Sequence, residues 1–131
     1  MMYALDTSAV VDYFRGRGRV AERLLSTPLH RVFLPAVVLY ELEVGVEKSA
    51  SASRRRAELD DLARAVQLLP FGSEEARTAA RIRSRLESQG RSIGPYGTLI
   101  AATALANGAI LVTRNTGELS RVEGLRLEDW F

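Results

Sequence analysis

A stretch of 22 residues without a charged side chain, Ser92 to Thr113, places the strongest constraint on how this chain folds. Its length would suffice for a membrane-spanning helix, but it is interrupted by Gly94, Pro95, Asn107 and Gly108. The proline suits the first turn of a helix, and the second glycine suits a helix C-terminus. We therefore predict a helix from Pro95 to Ala106, a buried strand from Ala109 to Thr113, and no membrane segment.

The rest of the chain alternates short apolar runs with helical patterns. The other expected strands are Met2–Leu5, 31–35, Gln67–Leu69 and Leu125–Leu127. The other expected helices are 7–16, Val20–Leu25, 36–50, 53–65 and 73–90. Strands that alternate with helices are typical of a parallel sheet covered on both faces. The sequence therefore predicts one α/β domain over residues 1–131, with a central, mainly parallel sheet of four to five strands.

Composition excludes several kinds of site. The chain has no cysteine, so thiolate metal sites are excluded, and the single histidine, His30, has no partner at ligand spacing. Thr7 and Ser8 have no general base, and no phosphate-binding glycine loop followed by Lys-Ser/Thr occurs. Lys48 is the only lysine among 18 basic residues, and this arginine excess fits either a polyanionic partner or codon usage. The N-terminus lacks a signal peptide pattern, so we expect a cytoplasmic protein.

Polar side chains follow two of the predicted strands. They are Asp6, Thr7 and Ser8 after the first strand, and Thr113, Asn115 and Glu118 at or after the fourth. Open parallel sheets bind ligands at the carboxyl ends of their strands, so these side chains are candidates for a site. Aspartate is also a favoured helix N-cap, and a plain capping role for Asp6 stays open. An oxygen-only cluster of this kind is the ligand set of Mg²⁺ or Mn²⁺.

Two positions on predicted helices also stand out. Glu41 shares a helical stripe with apolar or small residues, where a carboxylate needs a cation or several donors; a buried salt bridge and a metal role both fit. Gly97 lies in the first turn of a helix, where glycine costs about 0.5–1 kcal/mol relative to alanine and an acidic side chain would suit the helix dipole. It is either a close-packing glycine on a row of alanines or a position from which a ligand is missing.

Three segments of the sequence resemble a known family. They are YALDTSAVVDYFRG, LPAVVLYELEVGV and IGPYGTLIAATALANGAILVTRNTGELSRVEGLRLEDWF, and together they are similar to PIN-domain ribonucleases, specifically the VapC toxins of bacterial toxin-antitoxin pairs. The resemblance implies a three-layer α/β/α domain, RNA cleavage at a Mg²⁺ or Mn²⁺ site of three or four carboxylates, and a homodimer. It also implies inhibition by a VapB-type antitoxin in a hetero-oligomer. The subgroup it resembles cuts tRNA, in particular the anticodon loop of initiator tRNA.

The family's acidic positions map onto this chain with one departure. The first acid falls on Asp6 and the second on Glu41, while the fourth position falls on Asn115 or Glu118. The third acid lies within the family's PYDTLIAA, which here reads PYGTLIAA, so Gly97 stands where the family has an aspartate. The supporting polar positions fall on Thr7, Ser8 and Thr113.

The resemblance therefore predicts that this chain is weakly active or inactive on RNA, because a hard cation loses one negative ligand at Gly97. An introduced change and a natural or spontaneous variant that relieves toxicity would both leave the rest of the pattern intact. The alternative function is a catalytically dead PIN module that binds the antitoxin or RNA. A phosphatase or phosphoacceptor domain is disfavoured, since Ser8 stands where such phosphatases need a second aspartate.

Overall fold

The computed structural model describes residues 1–131 and places a five-stranded sheet at the centre of the molecule. The strands are β1 (Tyr3–Leu5), β2 (Val32–Pro35), β3 (Gln67–Leu69), β4 (Ile110–Val112) and β5 (Leu127–Glu128). Every neighbouring pair is parallel, in the spatial order β3, β2, β1, β4, β5. The predicted α/β fold with a mainly parallel sheet of four to five strands is confirmed.

Seven helices flank this sheet. They are α1 (Thr7–Phe14), α2 (Val20–Leu25), α3 (Ala36–Lys48), α4 (Ala52–Ala65), α5 (Ser73–Ser88), α6 (Pro95–Ala106) and α7 (Thr116–Leu119). Helices α5 and α6 pack against each other, and α3 packs against α1, α4 and α6. None of the helices has both the length and the apolar character needed to cross a bilayer.

The uncharged stretch folds as α6 and β4. Pro95 opens α6, and Gly108 follows it with a positive φ of 65°, a conformation that glycine adopts without steric cost. Half of the α6 residues are buried, and so is every residue of β4. The absence of charge from this stretch is therefore explained by burial in the core of the protein, as predicted.

Two short elements near the C-terminus differ from the sequence prediction. The last strand is Leu127–Glu128, whereas the sequence predicts 125–127; Leu111 N donates to Arg126 O and Thr113 N to Glu128 O, so pairing with β4 fixes the position of β5. Helix α7 is not predicted from the sequence at all. Elements this short carry no periodic signal of their own and depend on their neighbours.

Strands β1 and β4 lie side by side at the centre of the sheet and end at the same level. Leu5 is paired with Val112 in the register, and both are almost fully buried. Asp6 and Thr113 therefore leave the sheet next to each other, at the carboxyl edge where open parallel sheets bind ligands.

Candidate active site

Asp6 and Thr113 are in direct contact at the carboxyl edge of the sheet. Asp6 Oδ1 accepts a hydrogen bond of 2.8 Å from the Thr7 backbone N–H, which makes Asp6 the N-cap of α1. Asp6 Oδ2 accepts a 2.6 Å bond from Thr113 Oγ1, and Thr113 is only 1% exposed. Asp6 is therefore both a capping residue and part of a polar cluster, because each role uses a different oxygen.

The environment of Asp6 disfavours its charged form. Burial raises the pKa of the Asp6 carboxyl, and hydrogen bonds from Thr113, the Thr7 backbone and Ser8 act in the opposite direction without cancelling the effect. Ser8 also accepts a 3.3 Å bond from the backbone N–H of Arg114, which ties the start of α1 to the end of β4. A cation placed against Asp6 would stabilise its ionised form.

Glu41 joins this cluster from α3. Thr7 Oγ1 donates to Glu41 Oε1 at 2.7 Å, so one threonine links the two acids predicted from the sequence. Glu41 takes part in none of the ion pairs of the structure, which rules out the salt-bridge alternative. Its predicted place on the core-facing stripe is wrong in detail: the buried stripe of α3 consists of Val38, Leu42 and Val46, and Glu41 is half-buried beside it.

Asn115 and Glu118 form a second polar group next to the first. Asn115 N donates to Thr113 Oγ1 at 3.0 Å, and Asn115 Nδ2 donates to Glu118 Oε2 at 3.1 Å. Glu118 Oε1 accepts a 3.0 Å bond from the backbone N–H of Gly94, just before α6. The hydrogen bonds from Asn115 and Gly94 lower the pKa of Glu118. The two candidates for the fourth position are thus joined as a hydrogen-bonded pair.

Gly97 lies between the helices that carry Glu41 and Glu118. The preceding residue, Tyr96, has its hydroxyl 3.4 Å from that of Tyr40, and Tyr40 precedes Glu41 on α3. A Cβ atom built on Gly97 would lie 4.0 Å from Leu119 Cδ2, and Leu119 follows Glu118 on α7. The first turn of α6 therefore borders both acidic helices.

Close packing does not explain the glycine at position 97. Apart from its chain neighbours and the backbone of its own helix, Leu119 Cδ2 is the only heavy atom within 4 Å of a Cβ there, and 4.0 Å is an ordinary van der Waals distance. Gly97 does not have a positive φ, so its backbone accepts any residue. Ala101 and Ala104, further along the row, are fully buried, so the predicted close packing holds for the alanines and not for Gly97. Position 97 has room for a side chain.

The side chains present do not fit a complete site for a divalent cation. No group of three histidine, aspartate or glutamate side chains lies close enough together to hold a metal ion. Mg²⁺ needs a near-octahedral set of oxygen ligands. Both oxygens of Asp6 and Oε1 of Glu41 already accept hydrogen bonds from the protein. Asp6, Glu41 and Glu118 form part of an acidic site, but too few acids lie together to hold a divalent cation.

The sequence interpretation missed one acid close to the polar cluster of Asp6 and Thr113. Asp12, on α1, is 2% exposed; its Oδ1 lies 3.3 Å from Arg114 Nη1, and its Oδ2 has no hydrogen-bond partner. The Arg114 guanidinium carbon also lies 3.9 Å from the centroid of the Phe131 ring. The nearest sequence signal is an acid among apolar residues of α1, and it gives no indication of a partner 102 positions away.

Comparison with known proteins agrees with the fold. The PIN domain family model matches residues 3–125. The chain is 32% identical over 130 residues to the tRNA(fMet)-specific endonuclease VapC of Shigella flexneri, covering 99% of this chain and 98% of that protein. It is 30% identical over 138 residues to ribonuclease VapC2 of Rickettsia felis, with 99% and 98% covered.

Solved structures show the same similarity. The structure of VapBC2 from Rickettsia felis, bound to a fragment of promoter DNA, matches with a TM-score of 0.91 and 30% identity over 100% of both chains. DNA-bound VapBC from Salmonella typhimurium matches with a TM-score of 0.92 and 29% identity, covering 100% of this chain and 99% of the other. The predicted three-layer α/β/α architecture is confirmed. The chain therefore belongs to the PIN domain family, among the VapC ribonucleases of toxin-antitoxin systems.

Proposed function

We propose that this chain has the architecture of a tRNA-cleaving endoribonuclease toxin and that Gly97 leaves it weakly active or inactive. The tRNA(fMet)-specific endonuclease of Shigella flexneri, similar over nearly the whole chain, supports initiator tRNA as the substrate. Cleavage in the anticodon loop is part of the same proposal. Similarity to chains of solved VapBC complexes supports a VapB-type antitoxin as the partner. A homodimer that combines with this antitoxin into a hetero-oligomer is part of the same proposal.

The observation that carries the proposal is the open space at Gly97. Asp6 and Glu41 are joined through Thr7, Glu118 lies beyond the first turn of α6, and a Cβ at position 97 meets only Leu119. An aspartate at this position would add a carboxylate at a helix N-terminus, where the helix dipole stabilises negative charge. It would also bring the number of acids in this region from three to four.

Mg²⁺, which Mn²⁺ can replace, is the proposed cofactor of the restored site. The donors available are oxygens from carboxylates, hydroxyls and an amide, the set that hard divalent cations prefer. When bound, such an ion neutralises charge on a phosphodiester and makes a water more acidic. With Gly97 in place the affinity for the ion is expected to be low.

A second candidate function is supported by the incomplete set of acids. A PIN domain without a full metal site would still bind RNA or the antitoxin, because those surfaces do not depend on one carboxylate. This binding-only function is proposed for the chain with Gly97. The nuclease function is proposed for the same fold with an aspartate at position 97.

Cleavage of initiator tRNA in Mg²⁺ distinguishes the two candidates. We expect Gly97→Asp to cut the tRNA at least about 100-fold faster than the parent chain. The reason is that substitutions outside the metal ligands already lower metal affinity or activity by about 10–100-fold. Gly97→Asn, which has the same shape without the charge, is the matched control and should behave like the parent. Failure of Gly97→Asp to gain cleavage, or equal cleavage by Gly97→Asn, would contradict the nuclease proposal.

A further inference from the structure

Two exposed tyrosines lie side by side next to the candidate active site. Tyr40 on α3 is 52% exposed and Tyr96 on α6 is 44% exposed. Their ring centroids are 5.8 Å apart, the rings are inclined at 44°, and the hydroxyl oxygens are 3.4 Å apart. Each directly precedes a residue of the site: Glu41 follows Tyr40, and Gly97 follows Tyr96. We refer to these two residues as the tyrosine pair.

Contacts within the pair fix the position of both rings. Tilted aromatic rings at this separation attract each other, and the two hydroxyls are close enough to share a proton. The hydrogen bond with Tyr40 raises the pKa of the Tyr96 hydroxyl, and the charge of Glu41 raises it further. Glu41 therefore lies near enough to act on the pair, which forms a fixed aromatic surface at the edge of the acidic cluster.

Packing in the core does not explain the exposure of these rings. Eight large apolar or aromatic residues are exposed, and the tyrosine pair accounts for all of them on α3, α6 and α7, the helices that carry Glu41, Gly97 and Glu118. Neither tyrosine lines the cavity beside α3 or the cavity beside α6. The pair is therefore a flat aromatic surface in polar surroundings, separate from both cavities.

We infer that the tyrosine pair stacks an unpaired base of the RNA substrate, next to the phosphate that is cleaved. Aromatic side chains bind the splayed bases of single-stranded RNA in this way, and the contact needs no positive charge. This matters next to Asp6 and Glu41, because ionised carboxylates repel a phosphate. The inference rests on the proposed function and adds to it two residues that contact the substrate outside the acidic cluster.

The surroundings of the pair favour a base over a protein partner. A stable protein interface buries about 800 Å² on each side, and its centre is apolar. No other large apolar residue is exposed on the three helices around the site, so the pair has no apolar surface next to it that a protein could cover. A base needs only the face of one ring, which either tyrosine supplies.

The first test removes the rings and leaves the charge unchanged. The variant Tyr40→Ala with Tyr96→Ala is compared with the parent chain for binding of a short, uridine-rich single-stranded RNA that contains 2-aminopurine, in EDTA and over a range of salt concentrations. We expect an affinity loss of about tenfold, as for other stacked bases. The salt dependence of log K should stay that of the parent, because no phosphate contact is removed. The parent should quench the 2-aminopurine fluorescence by stacking, and the variant should not.

Two controls show whether the rings themselves are responsible. Tyr40→Phe with Tyr96→Phe keeps both rings and should bind and quench like the parent. Tyr13→Ala removes an exposed tyrosine from α1, where it lines a cavity that contains no residue of the acidic cluster, and it should also bind like the parent. An equal affinity loss in Tyr13→Ala, or a full loss in the phenylalanine variant, would overturn the inference. Circular dichroism and urea unfolding check that all variants fold.

The outcomes separate this inference from the proposed function. Unchanged RNA affinity and quenching in the alanine variant would overturn the inference, while tRNA cleavage by Gly97→Asp could still be observed. Unchanged affinity together with a different elution volume in size-exclusion chromatography would assign the pair to a contact between copies of the chain, and the inference would again be wrong. Loss of binding in the alanine variant without any cleavage by Gly97→Asp would support the stacking surface and contradict the nuclease proposal.

Discussion

At the scale of single residues, Thr113 is the side chain on which the polar cluster depends. Its hydroxyl donates to Asp6 Oδ2 and accepts from Asn115 N, so Thr113→Val would keep the shape and leave the Asp6 carboxylate short of a donor. We expect it to lower the free energy of unfolding by about 1–3 kcal/mol, the cost of an unsatisfied buried polar group.

Thr103→Val is the matched control for this substitution. Thr103 is fully buried in α6, but its hydroxyl bonds only to the backbone carbonyl of Leu99 in the same helix. We expect a change within about 0.5 kcal/mol, because the carbonyl keeps its place in the helix. Urea unfolding of both variants gives the comparison, and equal losses would argue against a special role for Thr113.

The open space at Gly97 leads to a stability prediction that is independent of metal. Gly97→Ala should stabilise the protein by about 0.5–1 kcal/mol, because alanine restricts the unfolded chain and meets only Leu119 at 4.0 Å. Gly108→Ala is the contrast: its φ of 65° is unfavourable for any residue with a Cβ, and a loss of roughly 1–2 kcal/mol is expected. Denaturant unfolding measures both, and a destabilising Gly97→Ala would show that packing requires the glycine.

The raised pKa of Asp6 predicts a pH dependence of stability. The unfolded chain has the ordinary value of 3.8, and burial raises the pKa of Asp6 in the folded chain. Between these two values the folded state binds more protons than the unfolded state, so the contribution of Asp6 to stability falls as pH rises through the window.

Asp6→Asn removes this titration and serves as its test. The free energy of unfolding of Asp6→Asn relative to the parent should increase from about pH 3.5 to pH 7, because only the parent ionises a buried group over that range. Thermal unfolding at several pH values measures the difference. A difference that stays constant or shrinks with pH would contradict the raised pKa of Asp6.

At the scale of elements, the Asp12–Arg114 pair holds α1 against the turn that follows β4. Asp12 is buried and has one free oxygen, so Arg114→Gln would leave a buried acid without its cation. The expected loss is roughly 1–3 kcal/mol, reduced from that of a fully buried pair because Arg114 is partly exposed. Adding Asp12→Asn should recover most of it, which a double-mutant cycle of unfolding free energies measures. Arg19→Gln, which breaks the fully exposed pair of Arg19 with Glu22, should leave the free energy of unfolding unchanged within the error of the measurement.

The elements that the sequence predicts well are those with local signals. Helix α6 begins at Pro95 and is followed by Gly108, and both residues act through their own backbone preferences. Helix α7 and strand β5 have no such signal: α7 is a single turn, and β5 owes its position to hydrogen bonds with β4. Their positions follow from tertiary pairing.

The candidate site likewise has some contacts that the sequence predicts and others that depend on the tertiary structure. The approach of Asp6 to Thr113 follows from the rule that parallel strands end at one edge, so the sequence predicts it. The bond between Thr7 and Glu41 depends on how two side chains leave two different helices, which periodicity does not specify. The empty space at Gly97 also required the structure, since it depends on neighbours distant in sequence.

At the scale of the whole molecule, the acidic cluster and a groove between α1, α3 and α4, which Arg15 and Lys48 line, place opposite charges next to each other. An RNA phosphate that approaches Asp6 and Glu41 without a metal ion is repelled by both, while Arg15 and Lys48 attract it from the side. The formal net charge of +2 is small, so this local arrangement matters more than the total. The fold thus combines the site proposed to bind a cation with a surface that carries positive charge of its own.

The affinity for Mn²⁺, measured by calorimetry, tests most directly whether position 97 lacks a metal ligand. We expect Gly97→Asp to bind the ion about 100-fold more tightly than the parent chain or Gly97→Asn. Only Gly97→Asp should then be stabilised by the ion, by about 2.7 kcal/mol when the free ion is at 100 times its Kd. Equal Mn²⁺ affinity in the parent and in Gly97→Asp would contradict the central claim, because the missing carboxylate would then have no part in holding the ion.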